Sequence, residues 1–322
     1  MKIDLTQAQR TLEPLLRQLE QERTQKVGQF AQITLWSVVV GGLLSLILAL
    51  FRVGGWAFVP LLAALLVISL AYASQAGAWR KQFKSRVMTQ LVKYVNPNLE
   101  YHPEQHITKR EYELSMLFHN APRPDRYRGE DLIEGVIDKT DIRLSELHTE
   151  YVQVTYDSKG RRHEQWITIF RGLFISADFH KDFRGVTLVL PDTEQSWLGG
   201  FGQWLQSLSA KLGNQPGELV KLEDPEFERL FKVFSTDQIE ARYILTPSLM
   251  RRIVDFRAKT RAPIRLSFVA SRVFVAIPTQ HDHFEPPSLL APANKLLQSA
   301  TLAQYFAELQ FALAVVDELN LN

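Results

Sequence analysis

Two apolar runs near the start constrain this chain more than anything that follows them. Ile33 to Phe51 carries no charged residue, and its only polar side chains are Thr34, Ser37 and Ser45. Trp56 to Tyr72 is slightly shorter at its apolar core, and Ala73, Ser74 and Ala76 extend it. A helix of about 20 apolar residues crosses a bilayer. Arg52-Val53-Gly54-Gly55 lies between the runs, too short for a folded loop. The pattern predicts a transmembrane helical hairpin over residues 33–76, with the lipid bilayer as a partner.

The flanks predict its orientation. Arg10, Arg17, Arg23 and Lys26 precede the first run, and Arg80, Lys81, Lys84 and Arg86 follow the second, whereas the connection offers only Arg52. Basic residues stay on the cytoplasmic side. Both termini are therefore expected in the cytoplasm. The charged, helix-prone stretch before Ile33 is unlike the short basic start of a secretory signal, so the first span reads as a retained anchor.

Composition excludes some chemistry. There is no cysteine, hence no disulfide, thiolate nucleophile or cysteine-ligated metal. With 37 basic and 35 acidic residues the net charge is +2, too even for a nucleic-acid binder. No nucleic-acid partner is expected.

Residues 4–28 read as an amphipathic helix with Leu5, Ala8, Leu12, Leu15 and Leu19 on one stripe, and Pro14 as a kink or a second start. Phe83, Val87, Leu91 and Tyr94 repeat at helical spacing after the second span. The two helices are expected to pair as a short antiparallel, coiled-coil-like stalk; the alternative is a pair of helices lying on the lipid. Residues 98–128 are polar, with a short helix between Tyr112 and His119. Strands follow: one opened by Ile133, then Val152 to Tyr156, a turn at Asp157-Ser158-Lys159-Gly160, Trp166 to Ala177, and Val186 to Leu190. Further strands are expected at 219–222, 230–234, 264–269 and 273–277. Helices are expected to start near Pro225, Asp237 and Thr246-Pro247, and over residues 293–319. The fold class is α+β. Its parts are an N-terminal helix (1–32), the two-span hairpin (33–76), a membrane-proximal helix (77–97) and an α+β domain on mainly antiparallel strands (98–322). That last part is expected to be cytoplasmic and to fold without the anchor.

Few residues suggest chemistry. His281, His283 and Glu285 alternate, so an extended segment would bring them to one face as metal ligands. They lack a further ligand, and a solvated loop before Pro286-Pro287 is the simpler reading. Trp197, Phe201 and Trp204 share the apolar face of a helix expected over residues 197–212. That face packs on the domain core or contacts the membrane or a partner; its single charge, Lys211, favours core packing. Arg171, Lys181 and Arg184 mark a conceivable polar cleft. No nucleophile elbow or His-Glu-x-x-His is present, so no catalytic residue and no cofactor is assigned.

Several motifs point to a family. They are Gly129-Glu130-Asp131-Leu132-Ile133-Glu134-Gly135, Phe170-Arg171-Gly172-Leu173-Phe174 and Lys181-Asp182-Phe183-Arg184-Gly185-Val186-Thr187 with Leu190-Pro191-Asp192. Then follow Leu222-Glu223-Asp224-Pro225-Glu226-Phe227-Glu228, Val233 to Gln238, Ala241 to Pro247, and Phe284-Glu285-Pro286. On these the chain resembles the bacterial membrane proteins of the domain-of-unknown-function family 3137. The resemblance implies a two-span anchor with a soluble domain, and no activity. The reading as a whole is a multi-pass protein of the bacterial inner membrane. Its expected role is non-enzymatic interaction or scaffolding with an unknown protein partner. The rival is a membrane-tethered enzyme or ligand-binding domain acting on a small molecule or lipid.

Overall fold

The structure, a computed structural model, describes residues 5–52, 54–192 and 218–319. The helix expected over residues 197–212, with Trp197, Phe201 and Trp204, lies outside them. The chain is α+β: two long helices, then an antiparallel sheet with helices. It divides into two compact units, Met1–Val95 with Phe284–Ala307, and Asn96–His283 with Glu308–Asn322. The sequence boundary at residue 98 therefore acquires an addition, because Phe284–Ala307 groups with the helices.

The first unit begins with α1, Leu5–Leu50, a single helix that runs through Pro14. No second helix starts at Pro14, and Leu12 and Leu16 on either side of it are both buried. The buried stripe is Ala8, Leu12, Leu16 and Leu19. It passes through Leu16 rather than the expected Leu15, because steps of four and three follow the 3.6-residue turn. Arg52 and Gly54, both at positive φ, reverse the chain. A 3-10 turn, Gly54–Phe58, leads into α2, Val59–Phe83, which has Pro60 in its first turn, where a missing N–H is harmless. A π-helical turn at Lys84–Met88 joins α2 to α3, Thr89–Val95.

The long helices run antiparallel. Phe30 meets Tyr72 ring to ring at 5.7 Å, and Arg86 pairs with Glu22 at 3.0 Å. Nearer the turn Gly41 lets the backbones close. A Cβ there would lie 2.9 Å from Ala64 Cβ and 3.1 Å from the Pro60 carbonyl oxygen.

The second unit is built on nine strands: β1 (Leu99–His102), β2 (Arg126–Ile137), β3 (Thr140–Tyr156), β4 (Arg162–Asp178), β5 (Thr187–Pro191), β6 (Glu218–Val220), β7 (Phe231–Ser235), β8 (Arg265–Val269) and β9 (Arg272–Pro278). Their order in the sheet is β1-β2-β3-β4-β9-β8-β5-β7-β6, and each neighbouring pair is antiparallel. β1 falls in a stretch read from sequence as irregular; four residues are too few to show alternation. The short helices are α4 (Lys109–Leu114), α5 (Pro225–Leu230), α6 (Gln238–Ile244) and α7 (Pro247–Thr260). Asp224, Asp237 and Thr246 cap their helices as the sequence announces, and Thr108 caps α4, which lies earlier than the expected Tyr112–His119; all four accept backbone N–H groups with their side chains. The last helix, α8 (Ser299–Leu319), starts six residues later than expected, after a 3-10 turn at Lys295–Leu297. An aromatic cluster of Tyr112, Phe118, Phe170, Phe174 and Phe274 fills the core beside α4.

The division into units carries a prediction about truncation. In the first unit Tyr305 lies 5.3 Å from the ring of Phe83, Phe306 lies 5.9 Å from Tyr94, and Leu289 and Leu296 are buried. A chain begun at residue 98 strips those apolar groups of their cover, so it is expected to bind a hydrophobic dye and aggregate. A chain in which a short flexible linker replaces only residues 33–76 is expected to stay soluble and melt cooperatively. Equal behaviour of the two proteins in thermal scans would refute the division.

Candidate functional site

The first candidate is the surface of the paired helices. Leu35, Trp36, Leu43, Leu46, Leu62 and Leu65 are all exposed, and Phe51 and Trp56, at the hairpin turn, are 78% and 71% exposed. Both long helices are long and apolar enough to cross a membrane. Two hydroxyls inside the apolar stretch bond to their own helix: Thr34 donates to the Phe30 carbonyl and Ser69 to the Leu65 carbonyl, each at 2.9 Å. Of the residues named as span limits, Ile33 is half-buried and Tyr72 packs on Phe30.

At the other end of these helices sits a polar clasp that sequence reasoning missed. Arg23 is buried and pairs with buried Glu20 at 2.7 Å. It also donates to the carbonyls of Leu289 and Ala291, at 2.7 and 2.8 Å, and of Pro292. Glu20 in turn accepts the Asn294 N–H at 2.6 Å. Glu285 receives Arg80 at 2.6 Å and buried Lys84 at 2.8 Å. Trp79 donates its indole N–H to the Pro287 carbonyl at 2.8 Å. Pro286, Pro287 and Pro292 supply no N–H, so this segment cannot form a ladder of its own, and side chains of α1 and α2 take its carbonyls. No local spacing announces contacts between residues more than 200 positions apart.

The metal candidates of the sequence are thus divided among different partners. Glu285 belongs to the clasp. The rings of His281 and His283 lie 4.7 Å apart in the second unit, where His283 is buried and stacks near Phe311. Burial lowers the pKa of His283, and that of His106, below the ordinary imidazole value. Among the described residues the carboxylates that approach one another are Glu130, Asp131 and Glu146, with one oxygen from each within 4.8 Å of the others. A register shift in β2 between Glu130 and Ile133 turns Asp131 inward at a φ of 60°. Asp131 accepts the Tyr101 hydroxyl and Glu146 the His283 backbone N–H. Oxygen ligands of this kind suit a hard divalent cation; here Asp131 and Glu146 already accept protein donors. Only the β-bulge brings them together, and Glu130-Asp131 alone does not reveal it.

Arg171, Lys181 and Arg184 have separate partners. Arg171 pairs with Asp282 at 2.8 Å, which raises its pKa. Lys181 donates to the Tyr243 carbonyl at 2.9 Å and lies over the Tyr243 ring; burial lowers its pKa. The backbone N–H groups of Arg184 and Gly185 donate to Glu240. A Cβ at 185 would lie 2.7 Å from that carboxylate, so a larger residue there would displace the Glu240 side chain. Val186 N–H bonds to Thr236 Oγ1 and Thr187 to Ser235, both at 2.9 Å. Two family motifs, residues 181–187 and 233–238, therefore form one joint of the sheet. A cavity of about 340 Å³ opens elsewhere, between Tyr112, Met116, Phe118, Pro122 and Pro124, with Glu113 and Arg123 also lining it.

Residues 168–321 match the model of a family described as "Protein of unknown function (DUF3137)". Over those residues the chain is similar to that family. The match begins inside β4, so the hairpin and the Gly129–Gly135 motif lie outside it. No curated protein matches the chain. Among solved structures, that of the mycobacterial trehalose monomycolate transport factor A, TtfA, aligns over 70% of this chain and 96% of its own at 12% identity and a TM-score of 0.31. A score that low carries no argument here.

Two outcomes are expected. Arg23→Ala leaves Glu20 buried without its cation and three carbonyls without a donor, a loss of about 3–5 kcal/mol. Arg23→Lys, which keeps the charge but not the planar fork, falls between. Thermal midpoints of the detergent-solubilised proteins rank the three. The second concerns pH. A histidine whose folded pKa lies below 6.5 takes up its proton more readily when unfolded, so the unfolded state gains protons as pH falls below about 6.5. Stability should drop between pH 6.5 and the lower folded pKa and be unaffected by these groups above 6.5. His283→Phe should flatten that slope; an unchanged slope removes His283 from the account.

Proposed function

We propose that this chain is a two-span membrane protein whose folded parts act by interaction, as an anchored scaffold rather than a catalyst. The observation that carries the reading is the uncovered apolar surface of α1 and α2. A contiguous apolar surface of this extent is not left to water in a soluble protein. Ile33 to Phe51 rises about 27 Å at 1.5 Å per residue, against a hydrocarbon thickness of about 30 Å. Trp36, Trp56 and Phe58 lie near the ends of the runs, where aromatic rings favour the interface. Lys26, Lys81 and Arg86 at the open end of the hairpin support a cytoplasmic position for both termini in an inner membrane. The motif residues make caps, joints and core, with no nucleophile and base in contact. A second reading, binding of a small apolar ligand, is favoured by the cavity beside Tyr112 and Phe118, whose volume lies near the lower end of the usual ligand-pocket range of about 300–1,000 Å³.

The topology is open to direct test. A reporter active only in the cytoplasm, fused in turn to each end of the full chain, is expected to be active at both. A cysteine introduced at Gly55 should react with an impermeant maleimide added from outside. Activity at one end alone would sink the hairpin reading.

A further inference from the structure

The hairpin of β3 and β4 outgrows the sheet that carries it. β2 accompanies β3 only as far as Glu150, opposite Arg126. β9 accompanies β4 only from Gly172 onward. Beyond those points Tyr151–Tyr156 pairs with Arg162–Ile167 alone, closed by a turn in which the Asp157 N–H bonds to the Arg161 carbonyl at 3.0 Å. Gln153, Val154, Thr155 and Tyr156 are exposed. The register sets Val152, Val154 and Tyr156 on one face with Trp166, on whose ring the Arg126 guanidinium stacks at 3.6 Å. A two-stranded ribbon is marginal in water; three or more strands with an apolar face are needed.

The outer edge of β3 is open beyond Glu150. Backbone direction alternates along an antiparallel strand. The bond from Asp157 shows that odd-numbered residues face β4, so Val152, Val154 and Tyr156 direct their N–H and C=O outward. Val152 agrees: its N–H is taken by the Asp125 carboxylate at 2.8 Å, just where β2 stops. Among the described residues no strand pairs with Val154 or Tyr156 on that side. Edges are ordinarily guarded by charge, proline or a bulge. Tyr151-Val152-Gln153-Val154-Thr155-Tyr156 has no charge and no proline.

We propose that a second copy of this chain covers this edge, the two arms pairing antiparallel about a two-fold axis at Thr155. This register bonds Val154 of each copy to Tyr156 of the other through both backbone groups and leaves Asp125 in place. It sets valine opposite tyrosine on the apolar face and threonine opposite threonine on the other, both favourable cross-strand pairs. Gln153 falls opposite Asp157, so no like charges oppose. Four strands replace two, with Val152, Val154 and Tyr156 of both copies as an apolar centre flanked by the Arg162–Glu164 ion pair of each β4, and the contact closes on itself as a two-fold dimer. An uncharged edge offers nothing that selects a charged peptide. The inference gives the interaction reading a partner, and the topology reporters above are indifferent to its outcome.

The chain has no cysteine, so a single introduced thiol reports alone. In the full-length protein in its membrane, Thr155→Cys brings two Cα atoms to about 4.5 Å across a non-hydrogen-bonded pair, within disulfide reach. Gln153→Cys lies on the same face but roughly 13 Å from its mate. Mild oxidation should convert Thr155→Cys to a covalent dimer and leave Gln153→Cys monomeric. Val154→Pro removes an outward N–H without touching the β3–β4 ladder. It should shift the detergent-solubilised protein from dimer to monomer in sedimentation, with at least a tenfold weaker dimer constant. Bridging at neither position, equal bridging at both, a monomeric parent protein, or a bridge from Thr155→Cys to a different polypeptide would each overturn self-pairing.

Discussion

Forty residues from Ile33 to Tyr72, with Arg52 as the single charge, keep most of their side chains uncovered. Everything in the first unit answers to that. In hydrocarbon each backbone polar group needs a partner within the protein, which leaves the helix as the local solution. Thr34 and Ser69 obey the same requirement by turning their hydroxyls back to Phe30 and Leu65. Between apolar helices in lipid, close backbone approach supplies the attraction, and small residues permit it. Gly41 against Ala64 and Pro60 is that approach. Charge is confined to the two ends, where Arg52 and the Glu22–Arg86 pair mark the limits of the apolar stretch.

The clasp follows from a different deficit. Three prolines between Pro286 and Pro292 deprive the segment of N–H donors while leaving its carbonyls in need of them. Buried Arg23 can serve several carbonyls at once because its fork carries five donors, and Glu20 offsets its charge. Such a pair contributes little net stability compared with apolar packing, yet removing one partner is severe. Its effect is therefore to specify where the segment sits. Lys84 and Glu285 repeat the logic one π-turn after α2, where the wider turn interrupts the regular helix at the residue that forms the pair.

Legibility in the sequence tracked the range of the forces involved. The two long apolar helices, the Asp157–Gly160 turn and the caps at Asp224, Asp237 and Thr246 rest on residues within a few positions of one another, and the structure has them. Pro14 misled because a local penalty of about 3 kcal/mol does not stop a helix with buried leucines on both sides of the ring. β1 was hidden because its strand character comes from pairing Leu99 with Gly135, not from its own pattern. The carboxylate group, the clasp and the open edge of β3 are all products of register or of distant return, and no periodicity encodes them. Glu285 illustrates the point: its neighbours in sequence suggest a ligand, while its cations arrive from α2.

The family motifs can now be read as joints. Gly172 sits where the β9 backbone passes so close that a Cβ would lie 2.1 Å from the Ile277 carbonyl oxygen, and Gly135 does the same against Asn98. Asp224 and Glu228 bind backbone N–H groups around α5, and Glu240 gathers Arg184 and Gly185. Each motif thus describes how backbone meets backbone, a requirement of architecture that any activity on this scaffold would share. The matched span speaks to the sheet and its corners. The features that remain without an architectural reason are the uncovered helices, the cavity beside Tyr112 and the uncharged edge at Tyr151–Tyr156. Of these, the helices leave large apolar side chains uncovered, and the edge leaves the backbone of Val154 and Tyr156 with no strand beside it among the described residues.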